Sequence, residues 1–505
     1  MALALILNFL LMISLTILAL VAGHHAFKIR KFRREEKAHG CQPARKLPQK
    51  DPIFGFDLFL QAGKMFAENK FLPVMFERYR TAGQTFETNI LGARTVHSCS
   101  PANFQSVFAA NASTWGVSYR LPALGPYCGR GFLTVDGSEW QHSRAVLAPS
   151  FSKNNMSNLA DFDHYLQLMI DKIPKDGSTV DIQPLIFSLY LDTSTLFLFG
   201  ESFESLSGDQ TEEALRFIEA AGYSLGGGGL RMALGPLQFL HYDPKWRKSN
   251  QLIHELVDRF IKKADNRENG ASAKAKRSKG AGRHIVLDSV LQQSDDRTFI
   301  RDETTQAFVT LHETTACLIS NMFWLMARHP AVWDRLRADV LSMGDIPLDF
   351  DSAMTLKYMR NVINETLRYY PVFPYHIRIA LKDTTLPEGG GPSGKDPVYM
   401  PAGSQFDGNF AVLHREKSIW GPDADEFRPE RWNTFMPKRW EFAPFGGGPR
   451  SCIGQQKALM ETSYFTARMC RNFSRIVPRD DRPWVGQVQV TAKNFNGCHV
   501  GMFTA

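Results

Sequence analysis

The chain opens on an apolar run, Ala2 to Phe27, rich in Leu, Ile and Ala, with no charged side chain beyond the titratable His24 and His25. That length suffices for a helix to cross a bilayer. Lys28, Arg30, Lys31, Arg33 and Arg34 follow at once, and positive charge on this flank predicts that the remainder stays cytosolic. A cleaved signal peptide is the competing reading, but no Lys or Arg precedes the run and the run is long for a signal core. The pattern divides the chain into a single-pass transmembrane anchor over 1–27, a basic and proline-containing linker over 28–55, and a folded body over 56–505. Within the linker, Pro43 to Pro52 predicts stiffness, because proline fixes φ and lacks a donor. Phe54, Phe56, Leu58 and Phe59 then either rest at the membrane surface or pack into the core.

The body reads as mainly α-helical with small β-sheets. From Asp302 to Arg328, Phe308, Leu311, Leu318, Met322 and Leu325 recur at helical spacing and predict one long helix. His329-Pro330 ends it, since a residue before proline leaves the helical region. Trp333, Leu336, Val340 and Leu341 predict a further helix, and Asn361 to Tyr370 a short one stopped by Pro371. Ile377 to Ala380 and Pro397 to Met400 read as two strands around a Gly-rich turn, Glu388 to Lys395. Near the end, Val488 and Val490 alternate with polar residues, and Asn496-Gly497 is a hairpin signal. Gly226 to Gly229, between helix-like runs, is either a flexible substrate entrance or a plain loop. Ala271 to Gly282 reads as a mobile surface loop.

Composition narrows the classes. With 505 residues and 44% hydrophobic content, the chain can bury a sizeable core. Its seven cysteines are scattered, odd in number and free of any C-x-x-C pair. They suit a reducing compartment and lack the spacing of zinc or iron–sulfur sites. The net charge of +8 suits an acidic protein partner or anionic lipid. No basic stripe with interleaved aromatics is present, which argues against a nucleic-acid partner.

Candidate chemistry centres on Cys452, in the Gly-rich run Phe445 to Gly454. A lone intracellular cysteine is ordinarily a buried free thiol. Here Arg450 offers a fixed cation, Gly448 and Gly454 allow close approach of a flat cofactor, and a following helix start favours a thiolate. Glu365 and Arg368, at i and i+3, share a helix face. They form either a surface ion pair or, with Arg431, a buried network. Trp140 and Arg144 share a face at i and i+4. Glu313 and Thr314 read, on their own, as a polar pair at a helix kink.

Phe445, Gly448, Arg450, Cys452 and Gly454 fill every position of the heme-binding signature of the cytochrome P-450 family, which the chain resembles along almost its whole length. The resemblance implies a cytochrome P-450 fold, heme b as cofactor, and Cys452 as the axial thiolate of its iron. It implies that Arg450, Trp140, Arg144 and Arg378 hold heme propionates. It makes Glu365, Arg368 and Arg431 a structural network behind the heme, and Glu313 and Thr314 a catalytic acid–alcohol pair that relays protons. Thr310 and Leu311 depart from the family pattern, which has Ala or Gly, then Gly; they narrow the expected oxygen pocket. Val372, Phe373 and His376 would border that pocket. The stretch Asn364 to Arg378, with His414-Arg415, Trp420-Gly421 and Gly454 to Gln456, resembles a fungal branch that includes alkane and fatty-acid hydroxylases. The implied function is a monooxygenase that inserts one atom of O2 into a lipophilic small molecule, a specialised-metabolite intermediate or an aliphatic chain. Electrons would come from NADPH through NADPH–cytochrome P-450 reductase, at the endoplasmic reticulum membrane with the catalytic domain cytosolic. Three alternatives stand beside it: a fatty-acid or alkane hydroxylase of primary lipid metabolism, a heme-thiolate isomerase or dehydratase that does not use O2, and a non-catalytic heme protein.

Overall fold

The computed structural model describes residues 12, 16, 20, 23, 27–156, 159–269, 284–344 and 346–504. The expected anchor, but for those few positions and Phe27, and the loop Ala271 to Gly282 lie outside the described residues. The basic stretch that follows the apolar run is helical to residue 38.

The expected long helix is two helices. Arg297–Leu311 starts where the Asp296 carboxylate accepts from the N–H groups of Thr298 and Phe299, a cap that satisfies donors with no helical partner. Thr314–Arg328 follows after a bend at His312 and Glu313. The threonines account for the break. Thr310 Oγ1 donates to the Ala307 carbonyl (3.0 Å), and Thr314 Oγ1 to that of Thr310 (3.1 Å). Such back-bonding competes with the ladder and bends helices. Pro330 ends the second helix and opens Pro330–Leu341, where its missing N–H is not needed. The short helix spans Lys357–Tyr369.

Gly226 to Gly229 are neither loop nor hinge: they lie inside the helix Glu212–Leu234. A Cβ on Gly227 would meet the Trp246 ring at 2.1 Å, so the glycine admits that ring, whose Nε1 donates to the Ser224 carbonyl (2.9 Å).

The main sheet has six strands in the order Arg45–Lys46, Thr85–Ile90, Ala93–Ser98, Gln405–Asn409, Tyr375–Ala380 and Trp115–Gly116. The stretch expected as a stiff linker is thus pinned to a sheet, with Ala44 and Leu47 buried. The two strands expected to flank one Gly-rich turn sit in different sheets. Tyr375–Ala380 pairs with Gln405–Asn409, whereas Asp396–Met400 pairs with Thr384–Gly390, which absorbs Glu388 to Gly390. Gln405–Asn409 is too polar to read as a strand, yet Asp407 is buried and bonded to His97 Nδ1 (2.8 Å). Gly486–Val488 and Ala492–Asn494 form a hairpin that turns at residues 489–491. Asn496-Gly497 instead turns the chain toward the last strand, His499–Thr504, with Asn494 Nδ2 bonded to the Gly497 carbonyl (2.6 Å).

Apolar side chains form three clusters, one against the sheet and two among the helices. Among the described residues, the one helix long and apolar enough to cross a membrane is Ile182–Phe199. It is mostly buried and packs against Thr314–Arg328, as a core helix does. Of the aromatics after the linker, Phe54 and Phe56 are exposed while Leu58 is buried.

Candidate active site

The Cys452 loop closes on itself before the helix Gln455–Asn472: the Cys452 N–H donates to the Phe445 carbonyl (3.0 Å), and Gly448–Arg450 makes one tight turn. Gly448 has φ +68°, and a Cβ there would lie 1.9 Å from the Phe108 carbonyl oxygen. This glycine therefore permits close contact between two protein segments, which no residue with a Cβ could make. Gly454 is different. A Cβ there would meet only Phe151, at ordinary contact distance, so the protein itself leaves that side open.

Cys452 alone among the seven cysteines is exposed; the other six are buried. Protein atoms nonetheless crowd around it closely enough for burial to lead the effects on its thiol. Burial pushes the thiol pKa up, while the Gly454 N–H and the Arg144 guanidinium pull it back.

A cluster of cations stands nearby. Arg450 Nη2 donates to Asp136 Oδ1 (2.6 Å) and to the Val135 carbonyl (2.9 Å), and its guanidinium lies 4.3 Å from the Trp140 ring centre. Asp136 also accepts from the Val117 and Ser118 N–H groups. It thereby fixes the start of the helix Gly137–Leu147, which carries Trp140 and Arg144. Arg144 lies 5.9 Å from the Trp140 ring centre. Arg378 is buried, its guanidinium donates among the described residues only to its neighbour's carbonyl at Ile377 (3.0 Å), and it stacks on Phe108. Burial first, then Arg120, pushes the Arg378 pKa down to about 9, and burial, against the pull of Asp136, takes Arg450 to about 10. A guanidinium stays protonated in proteins, so these shifts express charge held with too little anion around it. Among the described residues, Asp136 is the carboxylate that acts on both Arg378 and Arg450, against the repulsion each feels from Arg120. An accessible thiol beside one buried and several part-buried cations short of anions fits a flat, dianionic iron cofactor such as heme, because charge removed from water needs a partner. Arg120 was not foreseen; its signal was a charge inside the apolar run Tyr119 to Leu124.

Glu365, Arg368 and Arg431 come together as expected. Glu365 and Arg368 are fully buried, with Arg368 Nε and Nη2 donating to the two carboxylate oxygens at 2.9 and 2.8 Å. Arg368 also donates to the carbonyls of His414, Ala424 and Glu426. Arg431 reaches Glu365 at 3.6 Å, but its hydrogen bonds go to Asp423 and to the Trp420 carbonyl. Trp432 Nε1 completes the carboxylate (3.0 Å). Asp423 and Trp432 were missed, since nothing in their local spacing marks them.

At the bend, the hydroxyls of Thr310 and Thr314 are both satisfied by helix carbonyls, and Glu313 pairs with Lys493 of the C-terminal hairpin at 3.6 Å. Ala492, next to that lysine, donates its N–H to the Val372 carbonyl (2.8 Å), and Thr491 accepts from the Cys317 thiol. The hairpin therefore joins the bend to the segment bearing Val372, Phe373 and His376. Leu311 packs in the helical cluster that contains Phe308 and Phe217, which absorbs its volume. His376 lies among Phe108, Phe373 and Phe410 and is held neutral by burial.

Two turns before Thr310, Glu303 is fully buried, and neither carboxylate oxygen has a hydrogen-bond partner among the described residues. Burial raises its pKa to about 7; the Ser143 hydroxyl and Phe132 N–H oppose this without closing to hydrogen bonds. The folded state thus keeps a proton that the unfolded chain gives up near 4.5. Stability should fall as pH rises from about 4.5 to 7, by roughly 3 kcal/mol in all. Glu303→Gln should abolish that fall and be the more stable protein at pH 8. Denaturant titrations of both proteins at pH 5 and 8 check this; equal pH dependence would contradict it.

Comparison with known proteins agrees with this geometry. Residues 47–492 match the family model described as Cytochrome P-450. The chain is 36% identical over 474 residues to cytochrome P-450 monooxygenase fsdH of Fusarium heterosporum, covering 92% of this chain and 83% of the relative. It is 36% identical to cytochrome P-450 monooxygenase himC of Aspergillus japonicus over 95% of this chain and 87% of that one. With cytochrome P-450 52A12 of Debaryomyces hansenii it shares 32% identity over 92% of each. In fold it is similar to the crystal structure of the cytochrome P-450DA heme domain, with a TM-score of 0.73 at 21% identity over 92% of this chain and 98% of that one. The chain belongs to the cytochrome P-450 family. It is an oxidoreductase of the monooxygenase class, and its cofactor is heme.

Proposed function

We propose that this chain is a membrane-anchored heme-thiolate monooxygenase that oxidises a lipophilic specialised-metabolite intermediate or aliphatic chain, with Cys452 as the iron ligand. The single observation that carries the site assignment is Cys452 itself: the one exposed cysteine of the seven beside arginines short of anions. Heme supplies dioxygen activation, and a thiolate ligand favours O–O cleavage. The chain's own residues do the rest. Arg144, Arg378 and Arg450, with the Trp140 face, hold the cofactor's carboxylates. Thr314 keeps its hydroxyl at the bend, where it can exchange the Thr310 carbonyl for a water. Glu313 carries protons toward that hydroxyl from the side of Lys493, which is part-exposed and so reaches solvent. Thr310, Val372, Phe373 and His376 shape the pocket, and the threonine at 310 favours a specialised substrate over a general hydroxylase role.

Exposed Phe54, Phe56 and Leu60, and exposed Phe239, Leu240 and Tyr242, suit a body that rests on a lipid surface. This supports contact with a membrane; the N-terminal run would anchor the body at the endoplasmic reticulum with the catalytic domain cytosolic. The net charge of +8 suits an acidic NADPH–cytochrome P-450 reductase. The test is coexpression with a fungal reductase, feeding of fatty acids and polyketides, and product mass spectrometry under oxygen-18. A reductase-dependent product carrying one labelled atom is expected. An unlabelled product formed without reductase would instead favour the isomerase or dehydratase reading.

A further inference from the structure

The buried ion network and the cysteine loop are joined through one side chain. His414 is fully buried. Its backbone carbonyl accepts from Arg368 Nη1 (3.0 Å), and its ring Nε2 accepts from the Ala443 N–H (3.1 Å). Ala443 in turn accepts from the Gly446 N–H (2.9 Å), and Phe445 from the Cys452 N–H (3.0 Å). A short path of hydrogen bonds and covalent bonds therefore runs from Glu365 and Arg368, through both ends of His414, to the amide of Cys452.

The ring can play this part only as an acceptor. Accepting at Nε2 requires that nitrogen to be bare, so the neutral ring carries its proton on Nδ1. Its surroundings enforce that state: burial first, then the Arg368 guanidinium, push its pKa down to about 3, against a smaller pull from the Leu367 carbonyl. Phe410, Trp420 and Phe442 surround the ring, and among the described residues His414 Nε2 is the one acceptor of the Ala443 N–H.

We infer that His414 is a positioning residue for the iron ligand: its Nε2 holds the Ala443 amide and thereby sets the Cys452 loop in the geometry that keeps the thiolate on iron. This rests on the reading of Cys452 as that ligand. Losing the acceptor strands a buried N–H, and the loop then moves to find another partner.

The test compares His414→Phe with His414→Gln in the full-length, heme-loaded protein. Phenylalanine keeps the ring and removes the acceptor; glutamine places a neutral oxygen near the position of Nε2. The readout is the share of protein showing the thiolate-type carbon monoxide band after reduction, with far-ultraviolet circular dichroism as the check on folding. His414→Phe should lower the ratio of thiolate to non-thiolate form by about tenfold with its helical content unchanged, and His414→Gln should restore most of it. Equal loss in both variants, or none in His414→Phe, would overturn the inference. If His414→Phe does not accumulate, hydrogen exchange at the Ala443 amide decides. Protection retained in His414→Gln supports the acceptor role, and an amide unprotected in the wild type refutes it. Cys452→Ser run alongside separates the two readings: if it keeps the thiolate band, the ligand assignment fails, whatever His414 does.

Discussion

Arg368→Ala is expected to leave little folded, heme-loaded protein. Removing this guanidinium abandons the Glu365 carboxylate at a site with no solvent exposure and strips a donor from the carbonyls of His414, Ala424 and Glu426. Breaking a buried pair from one side costs about 3–5 kcal/mol, against a total domain stability of roughly 5–15 kcal/mol. The remaining cations do not compensate. Arg431 is 3.6 Å from Glu365 and commits its hydrogen bonds to Asp423 and Trp420. Replacing Glu365 and Arg368 together with apolar residues should cost less than Arg368→Ala alone, because no charge is stranded. Heme content and thermal melting of the single and double variants check this; a single variant with the wild-type melting temperature would show the pair to be dispensable.

Sequence made the chemistry more legible than the geometry. Glu365 and Arg368 were readable because a three-residue spacing puts them on one helix face, and Cys452 because its loop carries a dense local pattern. The break at His312 and Glu313 was only half legible: a kink at the polar pair was one reading, but its cause lies in hydroxyls turning back on carbonyls rather than in glycine or proline. A further demand on Gly448 was hidden for a related reason. Its conformation could be guessed, but the Phe108 carbonyl that requires it is about 340 residues away in sequence and adjacent only in the fold. Asp136, Asp423 and Lys493 were missed on the same ground: each acts on a partner in another element. The strand Gln405–Asn409 escaped notice because tertiary hydrogen bonds, such as that from His97 to Asp407, pay no heed to hydropathy.

Cys452→Ser should have the largest effect on function with the smallest effect on fold. The side chain is exposed rather than packed in the core, so exchange of sulfur for oxygen removes little packing. The loop is closed by backbone, from the Cys452 N–H to the Phe445 carbonyl, and that bond survives the exchange. What is lost is a thiolate, which serine cannot supply near neutral pH. The burial that raises the Cys452 thiol pKa does not oppose ligation, because binding to iron displaces the proton. Reductase-dependent oxygen insertion should therefore vanish while the melting temperature of the protein without heme stays close to wild type.

The most direct measurement is the carbon monoxide difference spectrum of the reduced wild-type protein beside that of Cys452→Ser. The wild type is expected to show the thiolate-type band and the variant to lack it while still binding heme. A variant that keeps the thiolate-type band, or a heme-loaded wild type that never shows it, would contradict the assignment of Cys452 as the axial ligand.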